Sequence, residues 1–228
     1  MKKLAFLVGF ALISMFVLSN FSTTARNTTI EERFTVAGVL DEGASGAYSF
    51  DKAHSSIGFR VKHMGLVDVP GYFRDFTGTV NYDPKDVTKS TVEFTAKMTS
   101  VDTGVGRRDD HLRTADFFEV AKFPDLTFKS TKVEKKGDGL VLTGDLTIKG
   151  VTKSISFPFN VVGFIKNEKS GDMKMGATAE TVVSRKDFSV GNDQKLPNGA
   201  EALSDKITVT LNIEANMTAP KPETKTAE

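Results

Sequence analysis

Five stretches of this chain change character at every second residue, and that constrains its fold more than anything else in it. Ile57, Phe59, Val61 and His63 fall on one face of an extended strand, with Arg60 and Lys62 on the other. Val92, Phe94, Ala96 and Met98 alternate with Glu93, Thr95 and Lys97. Leu140, Leu142, Gly144, Leu146 and Ile148 continue the pattern, as do Phe157, Phe159 and Val161, and then Ile207, Val209, Leu211, Ile213 and Ala215. Shorter candidates lie at 72–82, 125–134 and 172–184, and glycine-containing turns at 135–139, 148–151 and 168–172 separate several of them.

About eight antiparallel strands follow, each with one apolar face to cover. A flat sheet of that size leaves two open edges and an exposed apolar surface; closure removes both. The expected fold is therefore all-β, an eight-stranded antiparallel lipocalin-like barrel, with a two-sheet sandwich as the alternative. Eight strands enclose either a filled interior or room for one ligand. Phenylalanine bears on that choice, with 18 in the chain and 14 after the first 25 residues, against three tyrosines and no tryptophan. Such aromatic bulk suits a dry core or a cavity wall equally.

The ends read differently. Lys2 and Lys3 precede an apolar run from Leu4 to Leu18, the pattern of a secretory signal peptide over 1–25, too short for an ordinary membrane-spanning helix. Residues 26–46 read as a polar linker or arm, 47–217 as the barrel domain, and 218–228 as a disordered tail. With no cysteine, disulfides and thiol chemistry are excluded. Removing Lys2 and Lys3 from the 30 Lys+Arg leaves 28 against 29 Asp+Glu, a balance that offers nothing to nucleic acid.

One segment breaks the alternation. RRDDHLRTADFF, 107–118, crowds charge around His111 and ends in Phe117 and Phe118. A short helical segment is expected there, capped by Asp102 or Thr103 and lying across the barrel mouth with the phenylalanines inward. Its charges have three readings: a solvated face, pairing of Arg108 and Asp109 with the rim, or an arginine (Arg107, Arg108 or Arg113) that receives a phosphate head. His54, His63 and His111 lack the spacing of a metal site, no nucleophile-elbow or phosphate-loop pattern occurs, and nothing points to an enzyme, a metal or a cofactor.

In order along the chain, DKAHSSIGFRVKHM (51–64), GYFRDFTG (71–78), RDDHLRTADFFEVAKFPDLTFKS (108–130), LTIKGVT (146–152) and SRKDFSVG (184–191) resemble the YceI-like, polyisoprenoid-binding, lipocalin-like proteins of bacterial envelopes. The resemblance spans about 47–215 and departs at Ser189, where many relatives have glycine. It implies a periplasmic protein, often dimeric and sometimes stress-linked, holding one isoprenoid chain such as a polyprenyl phosphate or long-tailed quinone. Transient membrane contact fits such a role. It also places His63, Arg108, Asp109 and His111 at characteristic positions. Taken together, the expected cavity wall is Ile57, Phe59, Val61, Phe73, Phe76, Phe94, Phe117, Phe118, Phe128, Leu146 and Ile148. The expected mouth is His63, Arg108, Asp109, His111 and Arg113. An enzyme of isoprenoid or quinone metabolism and a filled scaffold remain the alternatives.

Overall fold

The computed structural model describes residues 41–217. The expected signal peptide, most of the arm and the tail lie outside them. Eleven strands form: β1 Gly46–Phe50, β2 Ser56–His63, β3 Val67–Phe73, β4 Phe76–Tyr82, β5 Thr91–Lys97, β6 Val101–Asp102, β7 Asp125–Lys136, β8 Gly139–Ile148, β9 Val151–Lys166, β10 Met173–Ser184 and β11 Leu203–Met217. Among the described residues there is one α-helix, α1, spanning Gly106–Arg113.

The eleven reduce to eight staves. β1 and β2 both lie along β11, β4 pairs with β1 and β5, and β3 pairs with β2 and β6. Thus β1–β2, β3–β4 and β5–β6 are three long strands, each interrupted once. Every stave lies antiparallel to its neighbours in sequence, and β1 on β11 closes the ring. The fold is a closed up-and-down barrel of eight antiparallel staves, in which edges disappear by closure. The sandwich alternative is set aside.

Local chemistry explains the interruptions. In the first, the Asp51 carboxylate accepts from the Ala53 N–H at 3.0 Å, an Asx turn that takes 51–55 out of the ladder. A bend at Arg74–Asp75 makes the second, and the 3-10 turn Met98–Ser100 the third, its Ser100 hydroxyl bonded to the Lys97 carbonyl at 2.6 Å. At the β8–β9 hairpin Lys149 and Gly150 are both left-handed (φ 50° and 73°), as a tight two-residue turn requires.

Residues 41–46, expected as part of the polar arm, are tied to the barrel. Asp41 bridges to Phe164, and its carboxylate accepts from the Lys166 N–H at 2.6 Å. The lower end of the barrel carries its own buried cluster of Tyr48, Val80, Phe164, Met173, Met175 and Ala215. The upper end carries the β2–β3, β8–β9 and β10–β11 connections and the α1 segment.

Candidate ligand cavity and its mouth

Inward residues on β10 run Met175, Ala177, Ala179, Thr181, Val183, a column of roughly 26 Å at strand spacing. Along that axis the barrel is hollow. An upper cavity has about 1100 Å³ of unfilled space, counting the part open to solvent, and a lower one about 730 Å³. Five residues line both: Ile57, Phe94, Phe128, Phe157 and Leu211. They form a waist in which Phe94 stacks on Phe128 (5.5 Å between centroids) and Phe128 meets Phe157 at 5.7 Å. No polar atom contributes to the exposed wall of either cavity.

So many phenylalanines would be expected to fill the bore, and glycines explain why they do not. A Cβ on Gly71 would stand 2.2 Å from the Phe59 ring; on Gly144, 2.4 Å from the Phe128 ring; on Gly78, 2.5 Å from the Phe50 ring. Each ring lies down over a neighbouring strand's glycine and covers the wall instead of projecting to the axis. Aromatic–glycine pairing across strands thus keeps the interior empty while burying aromatic surface.

The upper end is closed by the segment that follows β6. α1 has no apolar stripe, and Asp109, 6% exposed, is its one buried residue. Hydrogen bonds hold it instead. The Asp109 carboxylate accepts from the Thr103 N–H (2.9 Å) and hydroxyl (2.5 Å), and Arg108 donates to the Thr103 hydroxyl (2.7 Å) and carbonyl (2.8 Å). Arg113 reaches the carbonyls of Thr99 and Val101, both at 2.9 Å. From the opposite rim, Lys149 donates to the carbonyls of Ala115 (3.1 Å) and Ser189 (3.2 Å). Leu112, Phe117 and Phe118 line the upper cavity beneath these ties, with Phe118 5.9 Å from Phe73.

Ten of the eleven expected wall residues, Ile57, Phe59, Val61, Phe73, Phe94, Phe117, Phe118, Phe128, Leu146 and Ile148, line the upper cavity. Phe76 does not. It opens β4 just beyond the Arg74–Asp75 bend and is buried in the surrounding core, away from both cavities. None of His63, Arg108, Asp109, His111 and Arg113 lines a cavity. The helix cap also differs from expectation: neither Asp102 nor Thr103 caps α1, whose N-cap is Val105, and Thr103 is instead the donor to Asp109. The Arg108–Asp109 pair meets the barrel edge at Thr103, the residue that follows β6. His111 stands outside, 3.0 Å from Asp116 and edge-on to Phe117. His63 is half-buried at the end of β2, beyond Val61.

Arg185, unforeseen from the sequence, is the charged residue along the upper wall. It is 6% exposed and donates to the carbonyls of Ser204 (3.1 Å), Val190 (2.9 Å) and Leu203 (3.3 Å). Its stem faces the cavity while its guanidinium pins the 185–190 turn to the start of β11. Phe188 and Val190 from that turn, and Thr181, Val183, Ile207 and Val209 from the flanking strands, complete the wall. Lower down, Phe50, Val92, Phe159, Val161 and Ile213 do so.

Titratable groups with displaced pKa values lie away from the bore. Hydrogen bonds from His54 and the Asn216 amide bring Asp51 down to about 2, and the same Asp51 contact raises His54. Glu214 joins this group, and the three could offer ligand atoms within 4.8 Å of one another. Lys174 already supplies the opposing charge, bonded to Glu214 and 3.8 Å from Asp51. The arrangement is an ion-pair cluster on the outer surface.

Residues 48–215 match the model of the YceI-like domain. Protein YceI of Salmonella arizonae is 39% identical over 165 residues, which cover 70% of this chain and 86% of that protein. The crystal structure of the Campylobacter jejuni YCEI protein is 35% identical, covering 74% of this chain and 96% of that one, with a TM-score of 0.61. Two more distant structures show the same fold. Burkholderia cenocepacia BcnA is 23% identical (TM-score 0.62, 73% and 99% covered). A polyisoprenoid binding domain from Saccharophagus degradans is 17% identical (TM-score 0.56, 78% and 100% covered).

Proposed function

This chain belongs to the YceI-like domain family, and from that premise we propose that it is a periplasmic carrier of an isoprenoid lipid, its tail lying along the bore. The observation that carries the proposal is a cavity whose exposed wall is wholly apolar, with about 1100 Å³ of unfilled space when its open part is counted. Such a wall favours hydrocarbon and offers no partner to a polar group, so the head group stays at or beyond the mouth. Each buried CH₂ contributes roughly 0.8 kcal/mol, and a chain of several isoprene units has enough of them to offset its loss of freedom. The description of the Saccharophagus degradans domain as polyisoprenoid-binding supports the ligand class.

Polyprenyl phosphates and long-tailed quinones share such a tail and differ at the head. Binding rather than catalysis is the reading, because Tyr82, Ser90, Thr178 and Thr181 line the cavities but present no polar atom to the exposed wall along the tail's path.

Native mass spectrometry of protein purified from its own cell envelope tests this. The expected result is an added mass equal to one isoprenoid lipid, lost on extraction with organic solvent and restored by a defined polyprenol. An empty barrel that declines polyprenols of every length overturns it. A ligand that leaves chemically altered would replace carriage with catalysis.

A further inference from the structure

We propose that the tip of the β2–β3 hairpin inserts into a lipid bilayer and holds the cavity mouth against it. Three large apolar side chains project at this tip: Met64 (43% exposed), Leu66 (78%) and Val67 (58%). None belongs to either core cluster, so the fold does not require them to be apolar. Backbone chemistry sharpens the point. Met64 and Gly65 are both left-handed (φ 52° and 72°), and the Leu66 N–H bonds the His63 carbonyl at 2.9 Å. Asparagine or glycine is the usual choice for the first of these positions. A methionine held there displays an apolar side chain at a conformational cost.

The hairpin is also built to protrude. β6 pairs only with Tyr72 and Phe73 of β3, so Val67–Gly71 have β2 as their one neighbour. Pro70 removes a donor from that open edge, which discourages a further strand from adding to it. At its other edge β2 is paired with β11 through His63↔Leu203, and Leu203 and Val61 line the upper cavity. The tip therefore stands beside the end of the bore at which a lipid would enter.

A bilayer suits this surface better than a protein does. Three side chains on a convex turn fall far short of the ~800 Å² per partner that a stable protein interface needs, whereas a bilayer demands area but no matching shape. Lys62, the lysine closest to the tip in sequence, is committed to Asp68 at 3.0 Å. Attachment through this tip is apolar and persists when salt is raised.

Docking itself is independent of the carrier reading; transfer from the membrane rests on it. The test is co-sedimentation of the protein, freed of lipid, with vesicles of phosphatidylethanolamine and phosphatidylglycerol. The wild type should bind, with little change at high salt. Met64→Asn with Leu66→Ser, which suits the turn and leaves the cavity untouched, should lower vesicle affinity by about tenfold or more. The variant should still load a polyprenol from detergent at the wild-type level while loading it from vesicles far more slowly. Equal sedimentation of wild type and variant overturns docking, and so does loss of wild-type binding in salt. A wild-type dimer that the variant converts to monomer, without vesicles present, assigns the tip to self-association and also overturns it. Vesicle binding without polyprenol uptake from either source leaves docking standing and removes the carrier role.

Discussion

A substitution that fills the bore distinguishes a hollow barrel from a packed one by the sign of its effect. Ala179 sits inward on β10, opposite Phe159 on one side and Leu211 on the other, and lines the lower cavity with both. Ala179→Phe places a ring in that space of about 730 Å³. About 70 Å³ of that space admits a water-sized group, and at ~24 cal/mol per Å³ of cavity removed, filling it contributes up to about 2 kcal/mol of stability. In a filled core the same ring would force neighbours off their rotamers and cost ~1–3 kcal/mol. For a domain of this size about 2–4 °C accompanies each kcal/mol, so calorimetry on the delipidated protein should show a rise in Tm of roughly 5 °C. Binding should change in a graded way. With the lower chamber blocked below the Phe94–Phe128–Phe157 waist, long polyprenols should bind more weakly and short ones that stop at the waist should be unaffected. A lower Tm together with unchanged preference for chain length would refute the hollow-bore reasoning.

Four further outcomes follow from particular contacts. Gly71→Ala displaces the Phe59 ring from the wall into the upper cavity, so polyprenol affinity should fall at least fivefold with little loss of stability, read by titration and thermal melts. Asp109→Ala leaves the Thr103 N–H and hydroxyl without their acceptor; it should cost about 2 kcal/mol in urea unfolding and raise amide exchange across 103–118. Ser189 is left-handed at φ 54°, so Ser189→Gly should relieve strain worth roughly 1 kcal/mol and raise Tm by a few degrees. His54, its pKa raised above 6.5 by Asp51, stabilises the fold fully below pH 6.5 and progressively less as pH rises through its folded-state value. The Tm advantage of wild type over His54→Gln should therefore shrink as pH rises from 6 to 8, and a constant difference would dismiss the linkage.

Closure of the barrel was legible because five strands alternate strongly and closure is the one arrangement that leaves no edge. Where alternation faded, so did the reading. β10 turns Ala177, Ala179 and Thr181 inward while Val182 stands 58% exposed outside, the reverse of the usual contrast. The Arg74–Asp75 bend resets the strand between Phe73 and Phe76, so only the first reaches the bore. The contacts of the mouth charges were not legible. His63, Arg108, Asp109, His111 and Arg113 looked suited to a head group, yet Arg108, Asp109 and Arg113 spend their donors and acceptors on residues 99–110, contacts that spacing alone does not reveal. Arg185 gave no inward signal, because its burial depends on three carbonyls that the β10–β11 connection brings to it.

A barrel that keeps its middle empty must find its stability elsewhere, and the two ends supply it. Below, Tyr48 is fully buried, donates to the Ala44 carbonyl at 2.8 Å and packs against Tyr82 and Phe164, whose own rings lie 4.8 Å apart. Above, Arg113 and Lys149 fasten the Phe117–Phe118 segment from opposite sides. Between them the Phe50, Phe59 and Phe128 rings rest on glycines and the unfilled bore leaves the wall without facing atoms along its axis, so dispersion contacts are missing where a lipid would make them. Ligand then completes the core rather than adding to it. Delipidated protein should melt lower than loaded protein, with stabilisation rising as the logarithm of free polyprenol to about 2.7 kcal/mol at a hundred times Kd. Amide protection should rise most along the stretches of the staves that line the bore and least around Tyr48, because the lower end is already packed and gains no contacts. Protection that rose evenly throughout the barrel would mean that the ends are not independently packed.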